Sequence, residues 1–171
     1  SKIYGNWSFS SVMRNLAKGL NRNGVDVSIA PQEYHEDSQS MPDWEIKEMI
    51  LKPNDYWNRV VLRSSEGDQM YLMPPGKKRI AHTTGESSII NNKWKEQLNN
   101  TDLVLTTSNF FKTVMVEGGV KTPIKVLHNS FDPEIYNNTI DPLPLDNLRG
   151  MNFCSVFHYG NRKSPETLLK A

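Results

Sequence analysis

Four places in this chain carry side chains suited to ligand chemistry. His82 lies at the end of the predicted strand Arg79–Thr84, and a strand-end imidazole can hydrogen-bond a hydroxyl or a phosphate. A strand histidine satisfied by backbone would look the same in sequence. Glu86 follows Gly85; a carboxylate there could grip a diol through paired hydrogen bonds, or act as the cap or first-turn acid of the helix bearing Trp94. Trp7 offers a flat ring with an indole donor, for stacking on a ligand face or for covering a sheet edge. Gly5-Asn6-Trp7-Ser8 leads into a helix N-terminus, whose free N–H groups favour a diphosphate. Lys77-Lys78-Arg79 reads as a solvated turn.

Composition excludes several classes. The chain has 171 residues, with 20 Lys+Arg against 19 Asp+Glu, so its net charge of +1 shows no basic excess of the kind nucleic acid selects. No apolar run approaches the roughly 18–20 residues needed to span a bilayer. The single cysteine, Cys154, rules out an internal disulfide and a multi-thiolate zinc site, and on an apolar strand it reads as a small hydrophobe. With no signal peptide before Ser1, the expected location is cytoplasmic. No cofactor and no metal are expected, and no Asp-x-Asp motif is present.

The elements that must position these groups alternate between two hydrophobic periods. Ser11–Asn23 places Val12, Leu16 and Leu20 at helical spacing, with Ser10 or Ser11 as cap and Gly24 just past the end. Val25–Ala30 alternates as a strand, and Lys2-Ile3-Tyr4 supplies the end of another before the helix. Trp44–Leu51 reads as a short helix capped by Asp43. Strands are expected at Arg59–Arg63, Arg79–Thr84, Thr101–Thr107 and Pro123–Leu127, and helices at Asn91–Asn99 and from Ser108 to about Glu117. Glu66–Lys78, with its Pro-Pro-Gly turn, reads as a loop. This alternation predicts an α/β fold, a Rossmann-like mostly parallel sheet with helices on both faces. Ligands of such sheets bind beyond the carboxyl ends of the strands. The residues there are Gly5–Ser8, Ser64-Ser65, His82–Glu86, Ser108-Asn109 and Asn129-Ser130.

Residues 1–135 form the expected first domain, and the proline-bearing stretch 136–150 the expected linker. Met151–Phe157 then reads as a strand and Pro165–Ala171 as a helix start. One strand and two helical turns bury no core of their own, so 151–171 reads as the truncated start of a second domain. Exchange of this tail between two copies would make a homodimer.

The order of motifs resembles the N-terminal domain of GT-B glycosyltransferases, nearest to the large retaining family that includes sucrose synthase and bacterial mannosyltransferases. His82-Thr83-Thr84-Gly85-Glu86 followed by Trp94 is similar to the strand, Glu and Trp of one branch. Thr101–Val120 resembles "aDlvi..S.f....l...Gv", and Ile124–Asp132 resembles "i.VipNGvD". Asn152–Ala171, with Arg162-Lys163-Ser164, resembles "f.f....RKG...Ll.A", which opens the second domain. The first helix with Asn23–Val27 resembles "LA..L...GheV". Ser130 and Ser164 stand where the family has glycine, and only Gly5 stands where it has a glycine pair.

The resemblance implies an enzyme that moves a sugar from a nucleotide-diphosphate donor to a hydroxyl acceptor. It implies His82 as a catalytic-pocket residue, Gly5, Asn6, Trp7, Glu86 and Asn129 on the acceptor side, and Arg162 and Lys163 on the donor diphosphate. Partners would be a nucleotide sugar and a carbohydrate or other hydroxyl acceptor, with no nucleic acid and with peripheral membrane association of an intact enzyme. The family's acidic pair lies in the second domain and is absent here, so this chain alone is expected to be inactive. A non-catalytic carbohydrate-binding or assembly module, or a sugar epimerase of the same architecture, are the alternatives. A dehydrogenase is disfavoured because no G-x-G-x-x-G follows a strand.

Overall fold

The computed structural model describes residues 3–4, 8–31, 43–139, 141, 144, 150–157, 160 and 163–170. Contacts divide the chain into two units, Ser1–Tyr136 and Asn137–Ala171.

In the first unit, four strands form an all-parallel sheet among the described residues: β1 (Val60–Ser64), β2 (Lys78–His82), β3 (Leu103–Thr106) and β4 (Ile124–Val126), in spatial order β1-β2-β3-β4. The helices are α1 (Ser8–Arg22), α2 (Trp44–Leu51), α3 (Asn92–Asn99) and α4 (Asn109–Glu117). Register partners Arg63, Ala81 and Val104 share one face, and Ser64, His82 and Leu105 share the other.

A sheet buried on both faces needs apolar side chains on alternate and intervening positions alike. Val61, Ala81 and Val104 pack in one cluster with Leu98 of α3, with Phe111, Val114 and Met115 of α4, and with Met70. Leu62, one residue along from Val61, packs against the second cluster, which holds Met13 and Ala17 of α1 and Ile46 and Met49 of α2. Strands laid down in sequential order with crossovers of one hand send every connection to the same face, which is where α3 and α4 lie; α1 and α2 close the other. The fold is therefore Rossmann-like α/β with helices on both faces.

Local chemistry sets the boundaries. The Asp43, Asn91 and Ser108 side chains accept from the N–H groups of Ile46, Trp94 and Phe111, capping α2, α3 and α4. At the end of α1, Val25 N–H donates to the Leu20 carbonyl and Gly24 N–H to that of Asn21, with Gly24 at φ +80°. That left-handed turn suits glycine, as the sequence predicts. The α1 start differs from expectation. The helix begins at Ser8, so Ser10 lies inside its first turn, and the Ser10 hydroxyl donates instead to the Tyr4 carbonyl at 2.7 Å.

Three predicted strands are not strands among the described residues. Ile3 and Tyr4, the described part of Lys2-Ile3-Tyr4, belong to no ladder. Val25–Ala30 does not alternate in burial, which rises from exposed Val25 to buried Ile29, and Ile29 N–H donates to the Met49 carbonyl of α2 rather than to a ladder. Alternation in sequence is not enough; a strand also needs a neighbour to pair with. In the second unit, residues 151–157 likewise form no strand, and Phe153 and Val156 are 92% and 93% exposed. Cys154 is exposed too, not a core hydrophobe. The helix α5 (Pro165–Lys170) is as predicted. The expected loop Glu66–Lys78 contains a 3-10 helix, Gly67–Leu72, which carries Met70 into the core. Among the described residues no helix is long and apolar enough to cross a membrane.

Candidate functional site

The carboxyl ends of β1 and β2 place two polar side chains on the face beneath α1. Ser64 and His82 are register partners, each the last residue of its strand. Both are buried, and Ser64 Oγ lies 2.8 Å from His82 Nδ1. Burial pushes the His82 pKa below its ordinary value, because desolvation disfavours the imidazolium. The ring is therefore neutral, and Ser64 fixes its orientation through Nδ1. His82 Nε2 has no protein partner among the described residues.

Two small cavities flank this pair, separated by α1. The first, about 60 Å³, is lined by Val12, Leu16, His82, Leu127, His128 and Ser130. The second, about 140 Å³, is lined by Phe9, Met13, Ser64, Ser65, Glu66 and Gln69. One i,i+4 pair of α1, Val12 and Leu16, walls the first cavity, and another, Phe9 and Met13, walls the second. His82 thus faces one cavity, its hydrogen-bond partner Ser64 faces the other, and a ligand in either touches the same dyad.

His128, after β4, completes the first cavity's polar wall. The Thr107 carbonyl lies 3.0 Å from His128 Nδ1 and can only accept, so Nδ1 carries a proton and donates to it. Asn15 Nδ2 reaches the Ser130 carbonyl at 3.5 Å, tying this segment to α1. The Thr84 and Thr107 hydroxyls meet at 2.7 Å on the same strand-end rim.

Of the residues expected from sequence, His82 is where strand-end logic places it. Asn129 lies between His128 and Ser130 and is exposed. Glu86 is exposed and does not cap the Trp94 helix, whose cap is Asn91. Gly85 sits where a side chain would collide: a Cβ there would lie 2.4 Å from the Phe111 ring, which itself meets Trp94 edge-on at 5.7 Å. Gly5, Asn6, Trp7 and Arg162 lie outside the described residues. Lys163 is exposed in the second unit, where its N–H donates to the Gly160 carbonyl.

Sequence reasoning placed Ser64 among the strand-end residues without a role, and missed His128 and Gln69. His128 carried a signal, since it directly follows a predicted strand; Gln69 lies in the 3-10 helix that reads as loop. The arrangement offers a neutral imidazole, hydroxyls and an exposed carboxylate, with no Lys or Arg among the described residues that line either cavity. Among the described residues no group of three His, Cys, Asp or Glu side chains could hold a metal ion. No family model matches the chain, and neither a curated protein nor a solved structure does.

Proposed function

We propose that this chain is the acceptor-side domain of a GT-B glycosyltransferase, which moves a sugar from a nucleotide-diphosphate donor to a hydroxyl acceptor. The observation that carries this reading is His82: a neutral, buried imidazole at a strand's carboxyl end, oriented by Ser64 and lining a cavity with His128 and Ser130. A neutral imidazole with Nε2 unspent can accept from or donate to a sugar hydroxyl, according to tautomer, without placing charge in a dry site. The motif order of the sequence supports the same reading.

Electrostatics divides the labour. Among the described residues no cation lines either cavity, so a diphosphate gains little there; the sequence resemblance assigns the donor to Arg162 and Lys163. Both cavities are also smaller than the roughly 300 Å³ at which small-molecule sites begin, so the rim supports one face of an acceptor and does not enclose it.

Amide-resolved NMR of the chain with methyl glucoside, methyl mannoside, UDP-glucose and GDP-mannose tests this. Glycoside-induced shifts at His82, His128 and Ser130 are expected, at millimolar ligand. Shifts with none of these sugars, or shifts confined to residues remote from the carboxyl ends of the strands, would overturn the reading.

A further inference from the structure

The second cavity holds a hydrogen-bond relay that the His82 site does not use. Ser65 Oγ donates to Gln69 Oε1 at 2.8 Å, and Gln69 Nε2 donates to Glu66 Oε2 at 3.4 Å. Gln69 thereby spends its carbonyl on Ser65 and one N–H on Glu66. What remains is one amide N–H beside a carboxylate that has accepting capacity left. Glu66 is exposed while Gln69 and Ser65 are half-buried, so the pair sits at the cavity mouth. Phe9, 40% exposed, supplies the apolar wall with Met13.

From this geometry we infer that the Phe9–Glu66–Gln69 cavity is a subsite for a neutral polyhydroxylated ring, bound through a vicinal diol. A diol donates from one hydroxyl and accepts at its neighbour, which matches a carboxylate beside an amide N–H. An ammonium could use the carboxylate but has no acceptor for Gln69. A carboxylate or phosphate group would face Glu66 with no cation among the lining residues to offset the repulsion. The C–H face of a sugar ring would lie on Phe9. The inference rests on the acceptor reading above and deepens it: the cavity lies across α1 from the His82 cavity, so it holds a neutral glycoside ring other than the reacting one. Ser64 lines the cavity and holds His82 Nδ1, so an occupant here lies against the residue that orients the imidazole.

The test is calorimetric and NMR titration of the chain with methyl glucoside, maltose, methyl glucuronide and glucosamine, in wild type, Glu66→Gln and Phe9→Ala. Expected are amide shifts at Ser65 and Gln69 with maltose, and maltose affinity weakened by at least about tenfold in Glu66→Gln, the loss of a hydrogen bond to a charged acceptor. The same amides should not respond to methyl glucuronide. Glu66 is exposed, so its isosteric variant should fold; Phe9→Ala, with a circular-dichroism check, removes the apolar wall independently. Tighter binding of glucuronide or glucosamine than of the neutral sugars overturns the subsite's assigned chemistry. Shifts at His82 and Ser130 with none at Ser65 and Gln69 overturn the subsite while leaving the acceptor reading intact. No sugar response anywhere overturns both.

Discussion

Ser64 and His82, eighteen residues apart in sequence, are register partners on adjacent parallel strands, and their side chains meet at 2.8 Å. Each is the last residue of its strand, and each opens onto a different cavity beneath α1. The dyad is a shared wall, and its properties set most of what the site can do.

Stability should depend on pH through His82. Desolvation lowers its folded pKa, while in the unfolded chain the imidazole titrates near about 6.5. Between those two values the unfolded chain binds more protons than the folded one, so stability is lost as pH falls below about 6.5 and retained above it. The melting temperature of wild type should therefore drop more on acidification than that of His82→Gln. Parallel pH profiles of the two proteins would contradict this.

Arg63 is a buried liability. It is 6% exposed, and among the described residues its Nη1 reaches only the Leu72 carbonyl, at 3.4 Å, while its Nε and Nη2 have no hydrogen-bond partner. A desolvated, half-satisfied guanidinium costs more than an apolar chain of similar length. Arg63→Met should raise unfolding stability by about 1 kcal/mol in urea titration. A loss of stability would show that the charge is compensated.

Packing around Trp94 leaves no room for a methyl group. A Cβ on Gly85 would sit 2.4 Å from Phe111 Cζ, and one on Gly67 would sit 2.5 Å from the Trp94 ring. Gly85→Ala should cost about 1–3 kcal/mol, the range for overpacking a filled core. A thermal shift of several degrees downward checks it.

Two helix starts were legible in the sequence. Asp43 and Ser108 act over three residues, and a cap is a local event that the chain carries in itself, whereas the start of α1 and the Asn91 cap of α3 were misread. Val25–Ala30 and Met151–Phe157 misled for the opposite reason, since a strand exists only with a partner and alternation cannot supply one. The site was half legible. His82 and Ser64 both read as strand-end residues, but their meeting depends on the β1–β2 register, which no local pattern encodes. The Glu66–Gln69 relay stayed hidden because a six-residue 3-10 turn beside Pro-Pro-Gly has the composition of a loop.

Ser64→Ala separates orientation from packing. The cost to stability should be near about 1 kcal/mol, that of one buried hydrogen bond. The His82 ring, released at Nδ1, should change its imidazole NMR signature, while Gln69 and Glu66 keep theirs. An unchanged His82 signature would mean that packing alone holds the ring.

The account stands on a sugar hydroxyl being recognised by His82. Calorimetric titration of methyl glycosides into wild type and His82→Gln at neutral pH tests that most directly. The prediction is glycoside affinity reduced by about tenfold or more in His82→Gln, with the fold intact by circular dichroism. Equal affinity in the two proteins would contradict it.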